Sequence, residues 1–229
     1  MSFEKVYEKN VSEFKKKFDK GYGLQHPEGH IVRFHKKVLE SQFGIIGGNF
    51  LDYGCGFGVH SKYFADNGFV LFGCDAVDTA IKNCKKLLPE FAENFFCISP
   101  TPTNLKELFG STRFDLIFSN QVLYYLNDAD IKKVVEQLYE LLKPGGVFFV
   151  SMMSKDSYYF KRVEGCVGEM SKVVLDERLC ESTFINFKSR EDLSELFKPF
   201  KTFYVGGYGT DLREDEGVGH HLVFIGIKE

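Results

Sequence analysis

Three groups of residues in this chain are spaced to do chemistry: a glycine-rich turn, carboxylates on either side of it, and two clusters of histidines. The turn is Leu51-Asp52-Tyr53-Gly54-Cys55-Gly56-Phe57-Gly58, which follows a buried-strand pattern and opens a helical one. In that setting glycines let backbone amides approach a ligand closely. Asp75 stands 21 residues after Gly54, at the end of the next apolar run. A carboxylate there can accept both hydroxyls of a ribose laid across a sheet. A lone G-x-G would serve equally well as a plain strand-to-helix connection. The turn and the strand-end acid together point to a nucleoside.

The kind of nucleoside follows from what the turn lacks. A dinucleotide fingerprint asks for G-x-G-x-x-G or G-x-G-x-x-A, whereas Val59 stands at the last position and the third glycine comes one residue early. Asp52 precedes the turn and would repel a pyrophosphate. It suits a ligand carrying a cationic amine instead. S-Adenosyl-L-methionine has that amine, a sulfonium and no phosphate. A nicotinamide-dependent Rossmann oxidoreductase, and a non-catalytic module binding S-adenosylmethionine, are the competing readings.

Four motifs in order now carry a resemblance. Leu51–Gly58 is followed by the acidic strand end Gly73-Cys74-Asp75, then Phe114-Asp115-Leu116-Ile117-Phe118-Ser119-Asn120-Gln121, then Leu142-Lys143-Pro144-Gly145-Gly146. From about Glu28 to the C-terminus the chain resembles the class I S-adenosylmethionine-dependent methyltransferases of small-molecule type. The resemblance implies that Asp52 and the Gly54-Cys55-Gly56 turn contact the methionine moiety and that Asp75 holds the ribose. It places Ala76 and Val77 beside the adenine, and Asn120 and Gln121 near the methyl donor. Two departures stand out. Relatives often have an acid for the adenine amine after the third strand, but here Ser99-Pro100-Thr101 follows, so Ser99, Thr101 or a backbone carbonyl takes that hydrogen bond. Tyr124-Tyr125 replaces a Glu-His pair seen in many relatives, which removes any role for that His.

A base is needed only if the acceptor loses a proton on attack. His220 and His221 open the last strand at the ligand-binding end, and strand alternation turns only one of them toward the pocket. They are the candidate catalytic residues, against the simpler reading of solvated or packed strand-end histidines. The segment from Gly21 to Phe34 resembles a Y-P-x-E-x-x-V-R-F run found before the first strand in some small-molecule relatives, often in sugar or polysaccharide pathways. There Arg33 is a candidate partner for the methionine carboxylate, and Tyr22 or His30 for closing over the donor. An amphipathic cap helix with an exposed Arg is the alternative.

The elements that must position these residues show in the periodicity. Phe3, Val6, Tyr7, Val11, Phe14 and Phe18 recur every three or four residues, as in an amphipathic helix that forms a lid or a dimer face. A second helix opens at Pro27-Glu28 and breaks at Gly47-Gly48. From Asn49 strands and helices alternate, with strands at 49–53, 69–74, 94–98, 114–119 and 147–152. A helix over 128–142 is capped by Asp128 or Asp130. Such alternation predicts an α/β, Rossmann-like, doubly wound seven-stranded sheet, mostly parallel, with an antiparallel last strand. Residues 1–44 read as an N-terminal helical cap, and 45–229 as the methyltransferase domain. An insert after strand 5, at 154–186, holds one helix and a hairpin. Ser189 with Asp192 opens the next helix.

Composition narrows the acceptor. With 29 Lys and Arg against 32 Asp and Glu, the net charge is −3, without the basic excess of a nucleic-acid binder. No apolar run approaches the ~20 residues needed to cross a bilayer, and the first residues lack a signal core. Six cysteines show no metal-binding spacing, which fits a reducing cytoplasm. The expected partner is a small-molecule acceptor, with no nucleic acid, membrane or metal, and the chain acts as a monomer or homodimer. Large-ring packing must come from 25 Phe and 11 Tyr, because Trp is absent.

Overall fold

Apolar residues at helical spacing form α1 (Phe3–Asp19), which buries Val6, Tyr7 and Asn10. The computed structural model describes residues 1–21, 25–176, 181–209 and 218–229. A second helical stretch begins as α2 (Gly29–Phe34), continues through a π-type segment at His35–Glu40 and finishes as α3 (Ser41–Phe43). Gly44 ends it in the left-handed region at φ 64°, three residues before the expected glycine pair.

The alternating part folds as the periodicity predicts. It comprises β1 (Gly48–Tyr53), α4 (Val59–Ala65), β2 (Phe69–Asp75), α5 (Asp78–Leu87), β3 (Phe95–Cys97), α6 (Leu105–Phe109), β4 (Phe114–Ser119), α7 (Asp128–Leu141) and β5 (Leu142–Met153). The insert follows as β6 (Val163–Val167), β7 (Met170–Asp176) and β8 (Glu181–Ile185). The chain then returns through α8 (Arg190–Leu196), β9 (Lys201–Tyr208) and β10 (His221–Ile227). The strand order is β3-β2-β1-β4-β5-β10-β9. The first five are parallel, and β10 runs antiparallel to both neighbours. Strand order reverses between β1 and β4, which opens a crevice at their carboxyl ends.

Two apolar layers flank the sheet, because successive strand residues face opposite sides. Leu51, Ile117, Phe148 and Phe224 meet Ile131, Leu138 and Phe197 on one face. Phe50, Leu116, Phe118 and Phe149 meet Ile31, Leu39 and Phe64 on the other. Phenylalanine fills both layers. Phe118 stacks on Phe149 at 4.9 Å, and Phe148 on Phe200 at 4.4 Å. Among the described residues no helix is long and apolar enough to cross a membrane.

Two local expectations change. The insert holds a three-stranded antiparallel sheet, β6-β7-β8, and only a 3-10 turn at Tyr158–Arg162 where a helix was expected. Short runs such as Val163–Val167, exposed along most of their length, carry little periodic signal. The cap of α7 is Asn127, whose side chain accepts the Asp130 N–H, while Asp128 and Asp130 occupy the first turn. Asp128 instead receives Lys188 Nζ at 2.6 Å and Asn186 Nδ2 at 2.7 Å. The expected start of α8 is present as a full capping box of Ser189 and Asp192.

The position of α1 is set by polar bonds as well as by its apolar stripe. Buried Asn10 donates to the Phe184 carbonyl on β8 and accepts the Phe184 N–H and the Thr183 hydroxyl. The Tyr7 hydroxyl donates to Asp130 and accepts the Asn127 N–H at the start of α7. The N-terminal helix is therefore tied to the insert and to the main domain together. Asn10→Ala leaves both backbone groups of Phe184 buried without partners, so urea unfolding should show a loss of about 1–3 kcal/mol. Amide exchange should accelerate in α1 and β8 before it does in β1 or β4.

Candidate functional site

The glycine turn is stapled to the neighbouring strand. The Gly54 and Cys55 N–H groups both donate to the Cys74 carbonyl, at 2.8 and 3.1 Å. Gly54 adopts φ 82°, and a side chain there would run into Val122. Gly56 adopts φ 51°, yet a Cβ on it would meet nothing within 4 Å, so the turn is open on that side. Asp75 Oδ2 accepts the Gly56 N–H at 2.9 Å, and Oδ1 accepts the Val77 N–H at 2.8 Å. Each carboxylate oxygen keeps a lone pair for a ligand hydroxyl. Burial pushes the Asp75 carboxyl up from its ordinary range, against the pull of the backbone N–H groups of Val77, Gly56 and Ala76.

A cavity of about 290 Å³ lies over this turn. Its wall brings together nine of the residues expected from sequence: Gly54, Cys55, Gly56, Asp75, Ala76, Val77, Ser99, Asn120 and Gln121. Helix α1 closes the top. Phe14 meets Tyr125 edge-on at 5.0 Å, and Phe18 packs on Phe57 at 4.0 Å. The open glycine surface, a buried ribose-type carboxylate and this apolar cover fit an adenosyl ligand without phosphates.

Other expected residues lie elsewhere. Asp52 is buried beneath the turn and accepts the Ser61 hydroxyl at 2.6 Å, rather than lining the cavity. Arg33 is exposed. Ile31 and Phe34 take the core-facing side of α2, and a residue two positions after Ile31 points away from it. Tyr22 lies outside the described residues. Neither His220 nor His221 reaches the cavity wall. His221 is 7% exposed, and its ring stacks on Tyr208, with Nδ1 3.2 Å from the Gly219 carbonyl. Burial drives His221 down to about 4. His220 precedes β10 and packs beside Gly207, its Nδ1 buried and unpartnered.

The structure adds a polar group at the β4 end of the cavity. Glu28 accepts Asn120 Nδ2 at 2.8 Å and Gln121 Nε2 at 3.1 and 3.2 Å. His60, at the start of α4, places Nε2 3.7 Å from Glu28, and burial lowers it to about 4. Gln121 Nε2 also donates to the Tyr208 hydroxyl at 3.0 Å, and the ring of His30 stacks on Tyr208 at 3.6 Å. Gln121 adopts φ 61°, the one non-glycine in the left-handed region among the described residues. Its N–H is held by Ser151 Oγ at 2.8 Å. Strain of this kind persists only where surrounding bonds fix it. His60 had no motif to announce it, and Glu28 stood inside the Gly21–Phe34 run with nothing local to tie it to the β4 end.

Comparison with known proteins agrees with this geometry. The family described as methyltransferase domain matches residues 9–200. The chain belongs to that family. This bears out the reading as a class I S-adenosylmethionine-dependent methyltransferase, with S-adenosyl-L-methionine as the cofactor, over the nicotinamide alternative. Phosphoethanolamine N-methyltransferase 1 of Zea mays is 34% identical over 104 residues, covering 45% of this chain and 20% of that protein. Ubiquinone biosynthesis O-methyltransferase of Caulobacter vibrioides is 32% identical over 107 residues, covering 46% and 40%. The chain thus spans well under two thirds of these relatives. The Burkholderia thailandensis 1,6-didemethyltoxoflavin-N1-methyltransferase, solved with its acceptor and S-adenosylhomocysteine, has the same fold at TM-score 0.70 and 19% identity. That match covers 100% of this chain and 91% of the other.

Asp52 supplies a pH prediction. Burial, and secondarily the charge of Asp75, pushes its carboxyl up to about 7, although the Ser61 hydroxyl opposes this. An unfolded Asp titrates near 3.9. The native state therefore holds the extra proton between about pH 4 and 7, and stability falls as pH rises through that window. Asp52→Asn removes the titration. Relative to the unaltered protein the variant should gain roughly 3–4 kcal/mol between pH 4 and pH 8, read from urea midpoints at the two pH values.

Proposed function

We propose that this protein transfers a methyl group from S-adenosylmethionine to a small-molecule acceptor nitrogen or oxygen. The observation that carries the reading is the covered cavity, with a nucleoside cradle on the β2 side and the Glu28, Asn120 and Gln121 group, backed by Tyr208, on the β4 side. Helix α1 acts as its cover, held in place by β8 of the insert through Asn10. A covered cavity of about 290 Å³ supports a metabolite as the acceptor. The relatives named for N- and O-methyl transfer to small compounds support the same class. A sugar or polysaccharide precursor remains the acceptor suggested by the Glu28–Phe34 run.

Bound S-adenosylmethionine supplies a methyl carbon already activated by a sulfonium, so the chain's own contribution is alignment and exclusion of water. Asp75 accepts the ribose hydroxyls on its remaining lone pairs, and Ala76, Val77 and Ser99 border the adenine. The open face of Gly56 receives the methionine chain. Tyr125 and Phe14 shut the cavity against bulk water. Asn120 and Gln121, fixed by Ser151 and Glu28, hold the acceptor side rigid.

Purified protein incubated with methyl-labelled donor and a metabolite extract should yield a protein-dependent labelled small molecule. Label found only in protein or nucleic acid would overturn the acceptor class. Asp75→Asn should weaken S-adenosylhomocysteine by about tenfold to a hundredfold in calorimetry, since a charged acceptor to two hydroxyls is replaced by a neutral one.

A further inference from the structure

Glu28 poses a question that the donor site does not answer. Its carboxylate is held by three neutral amide contacts from Asn120 and Gln121. Two basic groups stand beside it: burial lowers His30, whose Nε2 lies 3.4 Å from Asn120 Oδ1, and holds His60 near 4, neutral at physiological pH. His60 Nε2 is buried without a hydrogen-bond partner and lies 3.7 Å from Glu28. Among the described residues lining the cavity there is neither Lys nor Arg. A carboxylate held only by neutral donors leaves its counter-cation to be supplied by a ligand. Glu28 still keeps 23% of its side chain accessible, so a ligand can reach it.

Its place in the fold separates it from the ribose end. Asp75 closes β2, whereas Asn120 and Gln121 follow β4, with β1 between the two strands. At about 4.8 Å per strand the two carboxylates address points roughly 10 Å apart across the sheet. Beyond Glu28 stands Tyr208 of β9, backed by the rings of His30 and His221. Tyr208 stands behind the wall, and Tyr125 supplies an aromatic face on the cavity wall itself. A carboxylate with aromatic walls suits an ammonium group and repels a phosphate or carboxylate.

Resting on the methyl-transfer reading, we propose that Glu28 is the specificity-determining residue of the acceptor subsite and that the acceptor is an aliphatic or benzylic amine carrying no anionic group near its nitrogen. The amine attacks as the free base, after releasing one proton to solvent. Its lone pair forms the N–C bond while the C–S bond breaks with its electron pair going to sulfur. Positive charge therefore moves from sulfur to nitrogen, where Glu28 faces it and no base is required. Fixed charge opposite a developing charge is the arrangement that lowers such a barrier.

The test is calorimetry on protein saturated with S-adenosylhomocysteine, using benzylamine, benzyl alcohol and benzoate as probes at pH 7. Benzylamine should bind at least about tenfold tighter than benzoate, with benzyl alcohol between them. Glu28→Gln should remove that preference while leaving affinity for S-adenosylhomocysteine within about twofold. Benzoate binding as well as benzylamine to the unaltered protein overturns the proposal without any variant. Loss of S-adenosylhomocysteine affinity in Glu28→Gln also overturns it, by placing Glu28 in the donor site. Failure of the unaltered protein to bind S-adenosylhomocysteine overturns the methyl-transfer reading as well. Binding of that ligand with benzoate preferred overturns only the amine assignment.

Discussion

The Asp75 carboxylate ties together the parts on which the site depends. It accepts one N–H from the turn after β1 and one from the turn after β2, so two loops that leave adjacent parallel strands are fixed to each other. The Cys74 carbonyl reinforces the joint by receiving the Gly54 and Cys55 N–H groups. Backbone donors that would otherwise face a cavity unpaired are thereby satisfied, and the turn is held in shape by the protein's own bonds. Such preorganisation lowers the cost of ordering on binding. It also explains why glycine recurs here: Gly54 must pass Val122, and Gly56 must leave its outer face open.

From that joint the remaining architecture follows outward. Two Phe-rich layers hold the sheet rigid, and the reversal of strand order between β1 and β4 supplies the crevice. The cover comes from elements outside the alternating unit. Helix α1 is bonded to β8 of the insert through Asn10 and touches the cavity wall through Phe14 and Phe18. Opening the cover therefore means breaking the buried hydrogen bonds of Asn10 to β8 and of Tyr7 to the start of α7.

The buried polar residues divide by what surrounds them. Asp52 lies under the turn with a single hydroxyl partner and a raised pKa, which identifies it as a support of the loop. His221 stacks on Tyr208 and burial lowers its pKa, while His220 packs beside Gly207. Glu28 and His60 face the cavity itself, on its polar side. Chemical type alone would have ranked the two adjacent histidines first. Position reverses that order.

Local signals were enough to reveal what is locally determined. Period-two and period-3.6 patterns located the sheet strands and main helices, because each pattern is imposed by the geometry of one element against one core. The glycine turn and the strand-end acid were legible for a related reason: each needs its residue type at a fixed distance from a strand terminus. The Ser189–Asp192 capping box likewise reads within four residues. The orientation of Arg33 was also implicit, since Ile31 and Phe34 define the buried side of α2. What the sequence could not settle depends on contacts between distant segments. The meeting of Glu28 with His60 and Asn120, the anchoring of Asn10 to Phe184, and the enclosure of His221 behind Tyr208 join residues separated by between 13 and 174 positions. No local pattern encodes such pairs. They are decided by how the layers pack, and by the need of every buried polar group to find a partner once they have.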